Sequence, residues 1–137
     1  MAQVKRLGNH DLDLRTGIVV FGHGSSVPSA NAAVARVAAQ AAETGGFPLC
    51  ETAFLEVAPT LKEATAKLVA AGAKHILVIP YFLTLGIHLQ RDLPRMVDDL
   101  LTLFPGITVE VTPPLDGHPG LSAIVVERAR DAMAAGK

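Results

Sequence analysis

The 137-residue chain has one cysteine, no tryptophan, one tyrosine and five phenylalanines. A lone Cys50 excludes an internal disulfide and any thiolate-rich zinc site, so a metal would be met by histidine and carboxylate. A large surplus of either sign of charge is also missing. Twelve basic residues face thirteen acidic ones, the formal net charge is −1, and the basic residues do not cluster. The electrostatic footprint of a nucleic-acid binder is therefore absent. No apolar run approaches the roughly 18 residues of a membrane span, and the leading stretch MAQVKRLGNHDLDLR has no apolar signal core. The expectation is a soluble, cytoplasmic protein with neither nucleic acid nor membrane as partner.

What is present is an alternation of alanine-rich helical stretches with Val/Ile/Leu runs, in a chain of the usual size for one domain. Residues 1–15 read as a flexible lead-in and 16–137 as the single domain. Strands are expected at about 16–21, 49–56, 75–82 and 107–112. The first helix spans about 28–44, opened by Pro28, with Val34, Val37 and Ala41 in one stripe. Pro59 opens the second, along which Leu61, Ala64, Leu68 and Ala71 line up. The stretch LTLGIHLQR reads as a loop, after which Asp92 caps a helix with Pro94 in its first turn. Leu93, Met96, Val97, Leu100, Leu101 and Phe104 make that helix the most clearly amphipathic one. A last helix covers about 119–135.

A βαβαβαβα alternation implies a parallel sheet with helices on both faces, and right-handed crossovers with one reversal give strand order 2-1-3-4. Ligands of such sheets bind beyond the carboxyl ends of the strands, at the switch point, here between strands one and three. That rule sorts the five histidines. His10 lies in the lead-in and His75 at the amino edge of strand three, away from the site. His118 is at the correct edge but one strand too far, as a rim or helix-start residue. His23 follows strand one and His88 follows strand three, so two imidazoles 65 positions apart meet at one crevice. Glu56, at the end of strand two, is placed to approach His23. Two imidazoles and a carboxylate suit a divalent transition metal that is held and then released.

His23 sits in Gly22-His23-Gly24-Ser25-Ser26. Gly22 and Gly24 give the backbone room to turn and a large ligand room to approach. The Ser25 and Ser26 hydroxyls and the amides entering the first helix are candidate anion donors. Neither GxxxxGK[ST] nor GxGxxG is present, which excludes a phosphate loop and a dinucleotide fingerprint. Nor is the segment a G-x-S-x-G elbow, which argues against Ser25 as a nucleophile.

Four blocks together, VVFGHGSS at 19–26, FLEVAPTL at 54–61, ILVIPYFLTLGIHLQRDLP at 76–94 and PPLDGHPGL at 113–121, resemble the short sirohydrochlorin chelatases, the CbiX-like relatives of the siroheme ferrochelatase SirB. The resemblance covers nearly the whole chain beyond the lead-in. It implies a flavodoxin-like chelatase domain and ATP-independent insertion of a divalent metal into sirohydrochlorin, with Co2+ favoured over Fe2+ or Ni2+. The metal is then a substrate, and no cofactor is permanently bound. By the same resemblance His23, His88 and Glu56 are the catalytic and metal-binding residues, and the single unit works as a homodimer. Substrate contacts are expected from Gly22, Gly24, Ser25, Ser26, Leu85, Gly86 and Arg91, with the apolar YFLTLGI as a surface for the ring. Many members carry arginine after the first serine, where this chain has Ser26; Arg91 and the helix amides are the candidates to replace it. A non-catalytic tetrapyrrole or metal carrier using the same crevice is the alternative.

Overall fold

A computed structural model describes residues 15–136. All but the last residue of the expected lead-in therefore lies outside the described residues. Eight elements alternate: β1 (Thr16–Gly22), α1 (Pro28–Gly45), β2 (Cys50–Phe54), α2 (Leu61–Ala70), β3 (His75–Pro80), α3 (Ile87–Leu103), β4 (Thr108–Val111) and α4 (Pro119–Ala135). The four strands pair in parallel in the order β2-β1-β3-β4, as the alternation requires. Among the described residues no helix is long and apolar enough to cross a membrane.

Side-chain alternation divides the sheet into two unequal faces. Val19, Phe21, Ala53, Ile76, Val78 and Val109 point to one side and pack with Leu61, Ala64 and Leu68 of α2 and Leu89, Leu93, Val97 and Leu100 of α3. Ile18 and Val20 point to the other, where they meet Ala38 of α1. Helices thus lie on both faces, but the second cluster is far smaller. α4 leaves the last strand without burying a single residue.

Four local expectations are corrected. First, α3 begins at Ile87, with Gly86 as its N-cap, so His88 stands on a helix and Pro94 lies inside it. No capping side chain marks that start, and proline at position eight of a helix is normally read as a boundary. The extra turn adds buried Leu89 to the apolar stripe. Second, α2 starts at Leu61: Thr60 caps it, its hydroxyl accepting from Glu63 N–H while the Glu63 carboxylate accepts from Thr60 N–H, and Pro59 precedes that box. Third, the inward line of α1 runs through Asn31, Val34, Ala38 and Ala42, while Val37 and Ala41 face water. Small alanines along the whole helix hide which line is inward. Fourth, β2 ends at Phe54, which places Glu56 in the loop two residues beyond.

Candidate active site

All four strands end at the same edge, and β1 and β3 are the neighbours between which the winding reverses. Past the end of β1 the chain stays stitched to the segment after β2. Leu55 N–H donates to Gly22 O and Glu56 N–H donates to His23 O, each at 3.0 Å. The stitching brings the two polar side chains together: His23 Nε2 lies 3.6 Å from Glu56 Oε1, and the pair is open to solvent, 58% and 62% exposed. Two ligands at about 2.1 Å in tetrahedral coordination stand roughly 3.4 Å apart, so the separation matches what a shared cation imposes.

The His23 ring is held from two sides. Its Nδ1 lies 3.2 Å from Gly24 O. The ring stands edge-on to Phe82, 6.4 Å between centroids at 85°, and Phe82 in turn meets buried Phe21 at 6.1 Å and 74°. With the Nδ1 side turned toward the main chain, Nε2 is the nitrogen presented to Glu56.

Of the two glycines beside His23, only Gly24 is conformationally required. Its φ is +89°, and a Cβ would lie 2.9 Å from Val57 and 3.0 Å from Phe54. Gly22 ends the strand in ordinary geometry, where a Cβ would meet Phe54 at an unremarkable 3.6 Å. The backbone-turn reason expected for Gly22 is therefore absent.

Sequence reasoning missed Asn31. Its Oδ1 accepts from Ser25 N–H at 2.9 Å and its Nδ2 donates to Ser25 O at 2.8 Å, so one amide satisfies both main-chain groups of that residue. Ser25 Oγ accepts from Val27 N–H at 3.0 Å. The Ser25 and Val27 amides are thus engaged within the loop, which corrects the expectation that they serve as free anion donors. Ser25 braces the turn, its Oγ acting there as an acceptor, and Ser26 is exposed. An asparagine in a helix carries no visible mark of a partner six positions earlier.

Across the switch, His88 occupies the first turn of α3, exposed, with Arg91 Nη2 3.5 Å from its Nδ1. His88 is at the same end of the sheet as His23 and Glu56. Among the described residues, however, no three His, Cys, Asp or Glu side chains lie close enough to hold a metal together. The loop leading to α3 splits into two kinds of residue. Phe82 and Leu85 pack against the main core, whereas Leu83 and Ile87 project into solvent at 68% and 75% exposure. Leu85 also borders a mostly apolar groove of about 340 Å³ with Leu93, Pro94, Val111, Pro113 and Pro114. Gly86 supplies the α3 cap and its carbonyl accepts from Gln90 N–H.

The remaining described histidines have structural partners. His118 caps α4, its Nδ1 accepting from Gly120 N–H at 2.8 Å. His75 is buried at the far edge, with Nδ1 against Thr108 Oγ1 and Nε2 3.7 Å from Glu110.

A doubly wound parallel sheet with imidazole and carboxylate at its switch point defines an α/β ligand-binding protein with nitrogen and oxygen donors. Comparison with known proteins narrows the class: the chain belongs to the CbiX family, whose profile matches residues 17–132. It is 28% identical to the sirohydrochlorin cobaltochelatase of Methanopyrus kandleri, the match covering 85% of this chain and 96% of that one. It is 33% identical to the chloroplastic sirohydrochlorin ferrochelatase of Arabidopsis thaliana over 85% of this chain and 52% of that protein. The solved structure of the sirohydrochlorin chelatase SirB from Bacillus subtilis subspecies spizizenii in complex with cobalt superposes with a TM-score of 0.78 at 27% identity. That superposition covers 85% of this chain and 50% of the other. This chain thus spans nearly the whole of the first relative and about half the length of the other two.

Proposed function

We infer that the chain is a chelatase of the class II type, inserting a divalent metal into sirohydrochlorin in the cytoplasm without ATP or a resident cofactor. The observation that carries this reading is the His23–Glu56 pair, two metal-competent donors 3.6 Å apart beside the switch point of the sheet. The names of the relatives from M. kandleri and A. thaliana point to the same reaction, and Co2+ is the favoured metal, ahead of Fe2+ and Ni2+.

Insertion has two chemical demands: the metal must shed water, and two pyrrole protons must leave as the ring nitrogens take it up. Imidazole both ligates such metals and accepts protons near neutral pH, although one lone pair does not do both at once. The roles are therefore divided. His23 and Glu56 receive the metal, and the second imidazole, His88, takes up the pyrrole protons one after the other and passes them to solvent. The pair is open to solvent, which suits a cargo that arrives hydrated and must depart, whereas a closed cage would retain it.

Exposed Leu83 and Ile87 and the Leu85 groove offer apolar surface for the macrocycle. Arg91, beside His88, is the cation for a ring carboxylate where Ser26 replaces arginine. Gly24 lets the turn that presents His23 close against Phe54 and Val57. A homodimer, which the family resemblance implies, belongs to the same proposal.

Mixing sirohydrochlorin with Co2+, Fe2+ or Ni2+ and following the absorption change with and without protein tests the reading. Acceleration is expected, greatest with Co2+. No acceleration with any of the three metals overturns it.

A further inference from the structure

One buried titratable group takes no part in the site described above. His75 opens β3 at the amino edge of the sheet and is 4% exposed. His23 follows the opposite end of the strands, and the seven residues of β1 put roughly 20 Å between the two edges. Burying an imidazole is costly unless its ring nitrogens find partners.

Strand register gathers polar groups around this ring. Thr108 is paired with His75 and Glu110 with Leu77, and alternation sends His75, Thr108 and Glu110 to the same face. The two β4 side chains therefore take one ring nitrogen each. Nδ1 is hydrogen-bonded to Thr108 Oγ1, and Nε2 lies 3.7 Å from Glu110 Oε1. On the β1 side Thr16 is in register with His75, and its buried Oγ1 has no hydrogen-bond partner among the described residues.

The two ring contacts differ in kind. Thr108 makes a direct hydrogen bond, whereas 3.7 Å is too long for an N–H···O bond to Glu110. It is close to the roughly 3.4 Å between two donors on one tetrahedral cation, and it nearly repeats the 3.6 Å of the His23–Glu56 pair. A histidine that ligates a metal through one nitrogen donates the other N–H to an oxygen, which fixes the tautomer and aims the free lone pair. Thr108 Oγ1 stands in that place, and with Nδ1–H donating to it the Nε2 lone pair faces the carboxylate. Two acceptors so placed call for a cation between them. The unpartnered Thr16 hydroxyl marks the same row as one whose polar groups are incompletely satisfied.

We propose that His75 Nε2 and Glu110 Oε1 form a second divalent-metal site, which takes a first-row transition cation such as Zn2+ as a structural ion, separate from the metal that insertion consumes. Imidazole with carboxylate selects such cations over Mg2+ and Ca2+, which prefer all-oxygen shells, and water fills the remaining positions. Exposure separates this pair from the first. His23 and Glu56 are both more than half exposed, as suits cargo in transit; here the imidazole is 6% exposed and the carboxylate 32%, so a cation enters past Glu110 and is held against the sheet. Bound there, it ties β3 to β4, a strand of only four residues. A cation that binds the folded chain and not the unfolded one raises stability. The site stands whether or not the chain is a chelatase.

The test uses the full chain carrying His23→Ala, which removes the other imidazole–carboxylate pair. Calorimetric titration with Zn2+ is expected to show one equivalent per chain, and the melting temperature is expected to rise when Zn2+ is added. Glu110→Gln in that background keeps the shape of a part-exposed side chain. It is expected to weaken Zn2+ binding roughly 10- to 100-fold and to abolish the rise, with an unchanged circular dichroism spectrum in the absence of metal. His75→Gln is expected to do the same; should burial make that variant fail to fold, Glu110→Gln decides alone. Absence of both the binding heat and the rise overturns the site. So does a Zn2+ equivalent that survives Glu110→Gln at full affinity. Either result leaves the His23–Glu56 pair and the insertion assay untouched.

Discussion

Asn31 of α1 holds both main-chain groups of Ser25 at once, accepting from its N–H at 2.9 Å and donating to its carbonyl at 2.8 Å. The loop so fixed is the one that carries His23. Each bond contributes about 0.5–1.5 kcal/mol net, so Asn31→Ala is expected to lower stability by roughly 1–3 kcal/mol. It should also slow metal insertion about tenfold by loosening the His23 turn, with the KM for sirohydrochlorin little changed. Asn31→Asp keeps the acceptor but sets a carboxylate oxygen against the Ser25 carbonyl, so it should not rescue. Steady-state kinetics beside thermal unfolding checks this; full activity in both variants would remove Asn31 from the account.

His23 and Glu56 are both more than half exposed, so truncating them removes chemistry with little cost to packing. His23→Ala is expected to abolish insertion while the melting temperature stays within a degree or two of the parent. Glu56→Gln, which keeps shape and loses charge, should weaken Co2+ binding by roughly 10- to 100-fold. Isothermal titration with Co2+ alone reads this without the ring.

The box at the start of α2 gives a pH signature away from the site. The Glu63 carboxyl is held below its ordinary value, first by Thr60 N–H and then by the Thr60 hydroxyl, with Lys62 adding a smaller favourable charge. A carboxylate with a depressed folded-state pKa stabilises above its unfolded pKa and loses that contribution as pH falls through the folded one. The melting-temperature difference between the parent and Glu63→Gln should therefore be largest at neutral pH and close in acid. Thr60→Ala, which removes the cap, should cost about 1 kcal/mol.

Cys50 is the one thiol, and burial, followed by the neighbouring Glu51 carboxylate, pushes its pKa up. Less thiolate at neutral pH means slow attack on electrophiles. Alkylation by iodoacetamide at pH 7 is expected to be at least several-fold slower in the folded protein than in urea, as followed by intact mass.

The sheet order and the switch point were legible in the sequence, because β/α alternation and right-handed crossovers leave few arrangements open. The closeness of His23 and Glu56 was legible for the same reason: topology puts the ends of β1 and β2 side by side. The start of α3 was hidden, since Gly86 caps without a side-chain signal and Pro94 resembles a first-turn residue. Asn31 was hidden because a helix-to-loop hydrogen bond leaves no periodicity. α4 was visible as a helix, yet nothing in its sequence shows that it buries none of its residues. Gly22 and Gly24 looked equivalent in sequence, and only the +89° φ of Gly24 separates them.

The central claim is turnover, and it is tested most directly by counting product per protein. Sirohydrochlorin and Co2+ in large excess are mixed with limiting protein, and the cobalt-containing product is followed by absorbance to completion. The account predicts many equivalents of product per chain, at a rate proportional to protein and lost in His23→Ala. Product that stops at one equivalent per chain, or a rate equal to that without protein, would show a carrier in place of an enzyme and contradict it.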